Sequence, residues 1–258
     1  MTPTSDSSRS HDDPHRTAPP LTRGTVHLWR VALDQPQSRV DTLRTLLSDD
    51  ELARADAFRF PRHRRRFIVA RAALRRTAGA YLEAAPARLR FDYNPHGKPF
   101  LADLPLQFNV SHAGELALLA FAWERAVGVD IEMIRPLRDV EALARANFAA
   151  EEVDALLALP RAERQRAFFN AWTRKEAFVK AVGDGLTYPL DRFAVSLSPD
   201  APARLLHIDG DADAARRWYL AAFAPTSASV AALVCAGPSA RLVHYIHHFS
   251  QHPDQFSV

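Results

Sequence analysis

Two long runs of helical periodicity, residues 62–82 and 163–182, are interleaved with short alternating apolar runs that suit strands, and this interleaving constrains the fold most. The first run carries Phe67, Val69, Ala70, Ala73 and Leu74 at helical spacing. The second follows another helical stretch, 139–158, that ends before Pro160, and stops itself before the glycines of GDGL. Strand patterns are VHLWRVAL from Val26, RFAVSLS (192–198), RWYLAAFA (217–224) and SVAALVCA (229–236). LALLAFA and VGVDIEM, joined by ERAVG, read as a β-hairpin, and Ser48 followed by Asp49, Asp50 and Glu51 reads as a helix start. NPHGKPFLADLP, at 94–105, is too rich in Pro and Gly for a long element. The mixture argues for an α+β protein, divisible into halves of about a hundred residues. No repeat with a period of about 20–50 residues is visible.

Residues 1–22 hold Ser, Thr, Pro, Asp and His with little that is apolar, the composition of a tail that orders poorly. No apolar h-region follows a basic start, and Cys235 is the single cysteine, which excludes an intrachain disulfide. Runs such as LALLAFAW, 116–123, fall short of the roughly 20 residues of a membrane span. The expectation is a cytoplasmic protein with no membrane partner.

In VGVDIE, 127–132, the period of two sends Val129 and Ile131 to one face and Gly128, Asp130 and Glu132 to the other. Two carboxylates side by side repel unless a cation lies between them, and a hard divalent ion such as Mg²⁺ meets that need; the bland alternative is a solvated strand face. In AWTRKEAFVKAV, Glu176 and Lys180 share a helix face, while Phe168, Trp172 and Val179 mark a buried stripe; here the bland reading is an ordinary surface ion pair.

Only three of the 33 basic residues are lysine, namely Lys98, Lys175 and Lys180. Such a skew suits the coding bias of a GC-rich genome, so a surviving lysine marks a place where a compact ammonium is wanted, or survives by chance. Residues 58–76 hold eight arginines and no acid. A nucleic-acid or anionic-membrane surface, a phosphate pocket and a solvated helix face all fit that composition. In FNVSHAG, 108–114, Ser111 and His112 are adjacent and no GxSxG elbow is present, so both read as donors to an anion rather than as a nucleophile and its base. His244, His247, His248 and His252 fall at near-helical spacing without the Cys or acid cluster of a metal site.

Taken in order, these motifs resemble the 4′-phosphopantetheinyl transferases of the longer, surfactin-synthetase-activating (Sfp-type) branch. Val127-Gly128-Val129-Asp130 matches that family's strand, and Trp172-Thr173-Arg174-Lys175-Glu176-Ala177-Phe178-Val179-Lys180 its helix, with 46 residues from Asp130 to Glu176. Gly97-Lys98-Pro99 and Phe108-Asn109-Val110-Ser111-His112 match its upstream segments. Thr173 stands where a smaller residue is usual, and Glu51 where a basic one would serve.

The resemblance implies two similar α+β halves forming a monomeric pseudo-dimer, with a tail over 1–22 and halves at 23–124 and 125–258. It implies attack by a serine of an acyl or peptidyl carrier protein on the β-phosphate of coenzyme A. Asp130, Glu132 and Glu176 would hold Mg²⁺; Glu176, or alternatively Glu132, would take the serine proton; Lys180 would neutralise the departing α-phosphate. Lys98, Ser111 and His112 would contact the phosphates, and Arg66, with Arg54 and Arg62 as helpers, the 3′-phosphate. The rival readings are a nucleic-acid binder built on the Arg-rich helix and a relative that binds coenzyme A without transferring anything.

Overall fold

A sheet with an apolar outer face needs a helix to cover it, and the chain meets that need twice. The structure, a computed structural model, describes residues 18–249; residues 1–17 of the expected tail, and His252, lie outside the described residues. The first half runs β1 (Thr25–Ala32), α1 (Gln37–Arg44), α2 (Asp49–Asp56), α3 (Pro61–Leu82), the two-residue strands β2 (Asp92–Tyr93) and β3 (Pro99–Phe100), β4 (Leu106–Ala113) and β5 (Leu116–Trp123). The second runs β6 (Val127–Met133), α4 (Val140–Asn147), α5 (Ala150–Ala158) and α6 (Arg161–Val182), then β7 (Phe193–Val195), β8 (Leu205–Ile208) and α7 (Ala212–Arg216), before β9 (Trp218–Phe223) and β10 (Ser229–Ala236). A further strand, β11 (Arg241–His247), follows.

The two main sheets have the orders β11-β1-β5-β4 and β6-β10-β9, so the first, last and middle strands of each half take the same places. Their inner faces meet through Val26, Leu28, Leu118 and Ala120 on one side and Val129, Ile131 and Leu233 on the other. Outside the first sheet, α3 packs Val69, Ala73 and Leu74 with Trp29, Leu119 and Phe121. Outside the second, α6 packs Phe168, Phe178 and Val179 with Val230, Ala232 and Val234. The architecture is thus helix, sheet, sheet, helix, the two-half α+β arrangement expected.

Each half ties its long helix to the N-terminal turn of a short one through a buried glutamate, and in the first half that glutamate also meets Arg71 at 3.2 Å. Glu51 Oε2 caps α2 through Ser48 N at 3.1 Å and meets Arg75 Nε at 2.5 Å. Glu152 Oε2 caps α5 through Ala149 N at 2.8 Å and meets Lys175 Nζ at 2.7 Å. Glu51, Arg75, Glu152 and Lys175 are at most 1% exposed, a burial tolerable only because the remaining donors are satisfied. Arg75 also donates to the carbonyls of Pro86 and Leu89, and Lys175 to those of Leu190 and Phe193.

Several expectations change. LALLAFA and VGVDIEM form strands but not a hairpin with each other: β5 pairs with β4 and β1, and β6 with β10. Glu124, at φ +56°, turns the chain out of one sheet into the facing one. The helix expected over 139–158 breaks at Phe148 and Ala149, both extended, which lets Phe148 stack on Phe168 at 5.1 Å. Leu21, inside the expected tail, is buried, and its carbonyl accepts from Trp123 Nε1 at 2.6 Å. The Arg-rich segment is not one basic stripe, because Arg71, Arg75 and Arg76 are buried while Arg59, Arg62, Arg64 and Arg65 are exposed. His244 and His247 lie on a strand, not a helix, and β11 pairs in parallel with β1, so residues 241–247 complete the first half's sheet rather than the second's.

Candidate active site

Where the halves meet, β4 and β6 run side by side, joined by side chains. Val129 N donates to Asn109 Oδ1 at 2.9 Å and Ile131 N to Ser111 Oγ at 3.4 Å, so two β4 side chains satisfy amides that a ladder would otherwise serve. The spacing opens a cleft of about 350 Å³ lined by Ser111, His112, Asp130, Glu132, Glu176 and Lys180, with Trp172 as a wall.

The two walls are held at a fixed distance by Gly128. A Cβ there would lie 2.1 Å from the Ala177 carbonyl oxygen and 2.4 Å from Ala181 N, so only glycine lets α6 lie directly on β6. That contact brings Asp130 and Glu132, on the helix-facing side of β6, to Glu176 and Lys180 on α6, as the strand and helix periods predict.

Asp130 is the hub. Its Oδ1 accepts from Lys180 Nζ at 2.5 Å and from Ser111 Oγ at 2.9 Å, and Lys180 Nζ also lies 3.2 Å from Ser111 Oγ. Lys180 therefore makes its ion pair with Asp130 on the strand beneath α6, not the i,i+4 surface pair with Glu176 that the sequence alone allows. Burial raises the Glu176 pKa, against the pull of Lys180. Burial also raises that of Glu132, with the neighbouring Asp130 charge adding to it. His112 stands at the rim; desolvation by the wall beneath it, and the charges of Lys180, His63 and Arg66, lower its pKa.

The donor set suits a hard divalent cation. Asp130 Oδ2 and Glu176 Oε1 are buried, line this cleft and have no hydrogen-bond partner among the described residues, and carboxylate oxygens are the donors such ions take. Among the described residues no three His, Cys, Asp or Glu side chains converge into a ready-made metal cage; the ammonium of Lys180 supplies the positive charge between them.

The other candidates fall in different places. Arg66 flanks the rim, paired with Asp34 at 2.7 and 2.8 Å and donating to the Gly114 carbonyl at 2.7 Å. Arg62 is exposed with its guanidinium 3.5 Å from the His63 ring nitrogen, and Arg54 lies 5.8 Å over the Phe67 ring. Glu51 is turned inward to Arg75, which explains an acid in that basic neighbourhood. Ser111 lines the cleft wall, largely buried, with its hydroxyl already engaged by Asp130, Lys180 and Ile131 N. Lys98 does not line the cleft: its ammonium reaches the Lys180 carbonyl at 2.5 Å. Asn109 was legible only as a motif letter, and nothing in the sequence tells that it bonds a β6 amide. Glu176 and Trp172 also line a second hollow of about 320 Å³, together with Asn147, Val179, Tyr188 and Leu190.

The 4′-phosphopantetheinyl transferase superfamily model matches residues 126–235, and the 4′-phosphopantetheinyl transferase N-terminal model matches 34–124. The chain is 44% identical over 216 residues to the 4′-phosphopantetheinyl transferase HetI of Nostoc sp. (strain PCC 7120), covering 82% of this chain and 88% of that protein. It is 35% identical over 191 residues to psf-1 of Bacillus pumilus, covering 72% and 80%. With Sfp of Bacillus subtilis (strain 168) it shares 30% identity over 178 residues, covering 68% and 78%.

Proposed function

The chain belongs to the 4′-phosphopantetheinyl transferase superfamily and is a transferase, and from that premise we propose that it moves the 4′-phosphopantetheine of coenzyme A onto a serine of an acyl or peptidyl carrier protein, releasing 3′,5′-ADP. The observation that carries this reading is the Lys180–Asp130–Ser111 group with two orphaned carboxylate oxygens beside it in one cleft. Such a site concentrates charge of both signs where a pyrophosphate and a nucleophile need to be held, which is most of what phosphoryl transfer asks of a protein.

In the proposed step the serine oxygen forms a bond to the β-phosphorus. The bond from that phosphorus to the bridging oxygen breaks, and its electron pair leaves with 3′,5′-ADP. Glu176 takes the serine proton, since its Oε1 meets no hydrogen-bond donor among the described residues and a carboxylate within reach of the hydroxyl is a competent base. Lys180 neutralises the departing α-phosphate. Asp130, Glu132 and Glu176 are the residues that would hold Mg²⁺, which when bound supplies neutralisation of the pyrophosphate oxygens. His112 would donate to phosphate, and Arg66, with Arg54 and Arg62 further out, would attract the 3′-phosphate. Ser111 sets the angle of Asp130.

The reading places the chain in the longer Sfp-type branch, as a cytoplasmic monomer whose halves divide near residues 124–125, serving fatty-acid or secondary-metabolite synthesis. It needs neither nucleic acid nor membrane, and no described helix is long and apolar enough to cross a bilayer. The test is incubation with an apo carrier protein, coenzyme A and Mg²⁺, followed by mass spectrometry of the carrier, with Glu176→Gln and EDTA controls. A gain of one phosphopantetheine that both controls abolish supports the assignment. No gain on several apo carriers, with coenzyme A still bound, favours the binding-only relative.

A further inference from the structure

A lysine that the motif places beside a substrate points its ammonium elsewhere. Lys98 Nζ lies 2.5 Å from the Lys180 carbonyl, 3.4 Å from that of Val127 and 3.5 Å from that of Ala181. The carbonyls of the last turn of a helix have no partner within it, and a cation there also meets the negative end of the helix dipole.

The turn that carries Lys98 is itself built for this. Asn94 Oδ1 accepts from the amides of His96 and Lys98 at 3.0 and 2.9 Å, and Gly97, at φ +79°, closes the bend. The same Asn94 donates through Nδ2 to the Gly183 carbonyl at 2.7 Å. On the far side His96 packs so closely on Gly185 that a Cβ there would lie 2.7 Å from the His96 Cβ. A rigid turn of the first half therefore grips both the last turn of α6 and the chain leaving it.

We propose that residues 94–98 are a clamp, and that Lys98 is a positioning residue for the transfer reaction: it fixes the turn of α6 from which Lys180 reaches Asp130, and does not bind substrate phosphate. The proposal rests on the reading of Lys180 given above and adds what holds it in place.

The experiment compares wild type, Lys98→Met, Lys98→Arg, Lys180→Met and the double Lys98→Met/Lys180→Met variant. Amide exchange of a peptide covering residues 179–184 is followed by mass spectrometry, coenzyme A binding by calorimetry, and transfer to an apo carrier by kcat and KM. The expected result is faster exchange confined to 179–184 in Lys98→Met, a kcat about tenfold or more lower with KM and Kd for coenzyme A within about twofold, and no further loss in the double variant beyond Lys180→Met. Lys98→Arg restores little, since a planar fork does not fit three convergent carbonyls. Unchanged exchange with weakened coenzyme A binding overturns the clamp and makes Lys98 a phosphate ligand. If wild type transfers nothing, the proposed function fails while the exchange result still decides the clamp.

Discussion

Arg75 and Lys175 stand one hundred residues apart at the same place in two 22-residue helices, each buried against a glutamate that caps a short helix. The position next to each is where the halves part: Arg76 in α3 and Glu176 in α6, the one buried in its own half, the other lining the cleft. The shared scaffold and the private chemistry are thus neighbours on the same turn.

Replacing one member of such a pair leaves a charge buried without its partner. Lys175→Met is expected to cost about 3–5 kcal/mol by urea unfolding. Lys175→Met/Glu152→Gln recovers part of that loss, and a double variant no better than the single one would show that the carbonyls of Leu190 and Phe193 matter more than the glutamate.

Glu176→Gln is expected to lower transfer by about 10²–10⁴-fold, the usual worth of a general base. The base acts ionised, so wild-type activity is expected to fall on the acid side as Glu176 takes up a proton, and Glu176→Gln is expected to remove that limb. A rate profile over pH that keeps this limb in Glu176→Gln but loses it in Glu132→Gln would assign the base to Glu132.

The same burial affects stability with a definite sign. Glu176 and Glu132 hold protons more tightly folded than unfolded, so the stability they contribute is present below the unfolded value and is lost as pH rises through the folded one. Glu176→Gln is therefore expected to melt higher than wild type near about pH 8, with the difference shrinking toward about pH 4. A constant offset across that range would assign the change to packing.

Gly128→Ala drives a methyl group into the backbone of α6. The expected outcome is a loss of about 3 kcal/mol or more in chemical unfolding, together with loss of transfer. Retained stability with lost transfer would mean that α6 shifts bodily and carries Lys180 away from Asp130.

Local patterns were readable in the sequence, and partners across space were not. Alternation identified VGVDIEM as a strand and put Asp130 and Glu132 together on one face, because the period of two is a property of the strand itself. Alternation is silent on which strand lies alongside, so in sequence β5 and β6 read as a hairpin although they belong to facing sheets. Arg71 and Arg75 read in sequence as part of a basic surface because nothing near them announces Glu51, which sits in the preceding helix. The scarcity of lysine did carry information. Each of the three places its ammonium among several oxygens at once.

The parallel pairing of β11 with β1 sets an order of events during synthesis. The ribosome releases β1 early, yet the strand that covers its outer edge is made only when residues 241–247 are added. Until then the nascent first half displays a bare row of amides and carbonyls on a strand rich in Val, Leu and Trp, a template for pairing with a neighbouring chain. Every chain passes through that exposed interval before β11 closes the edge.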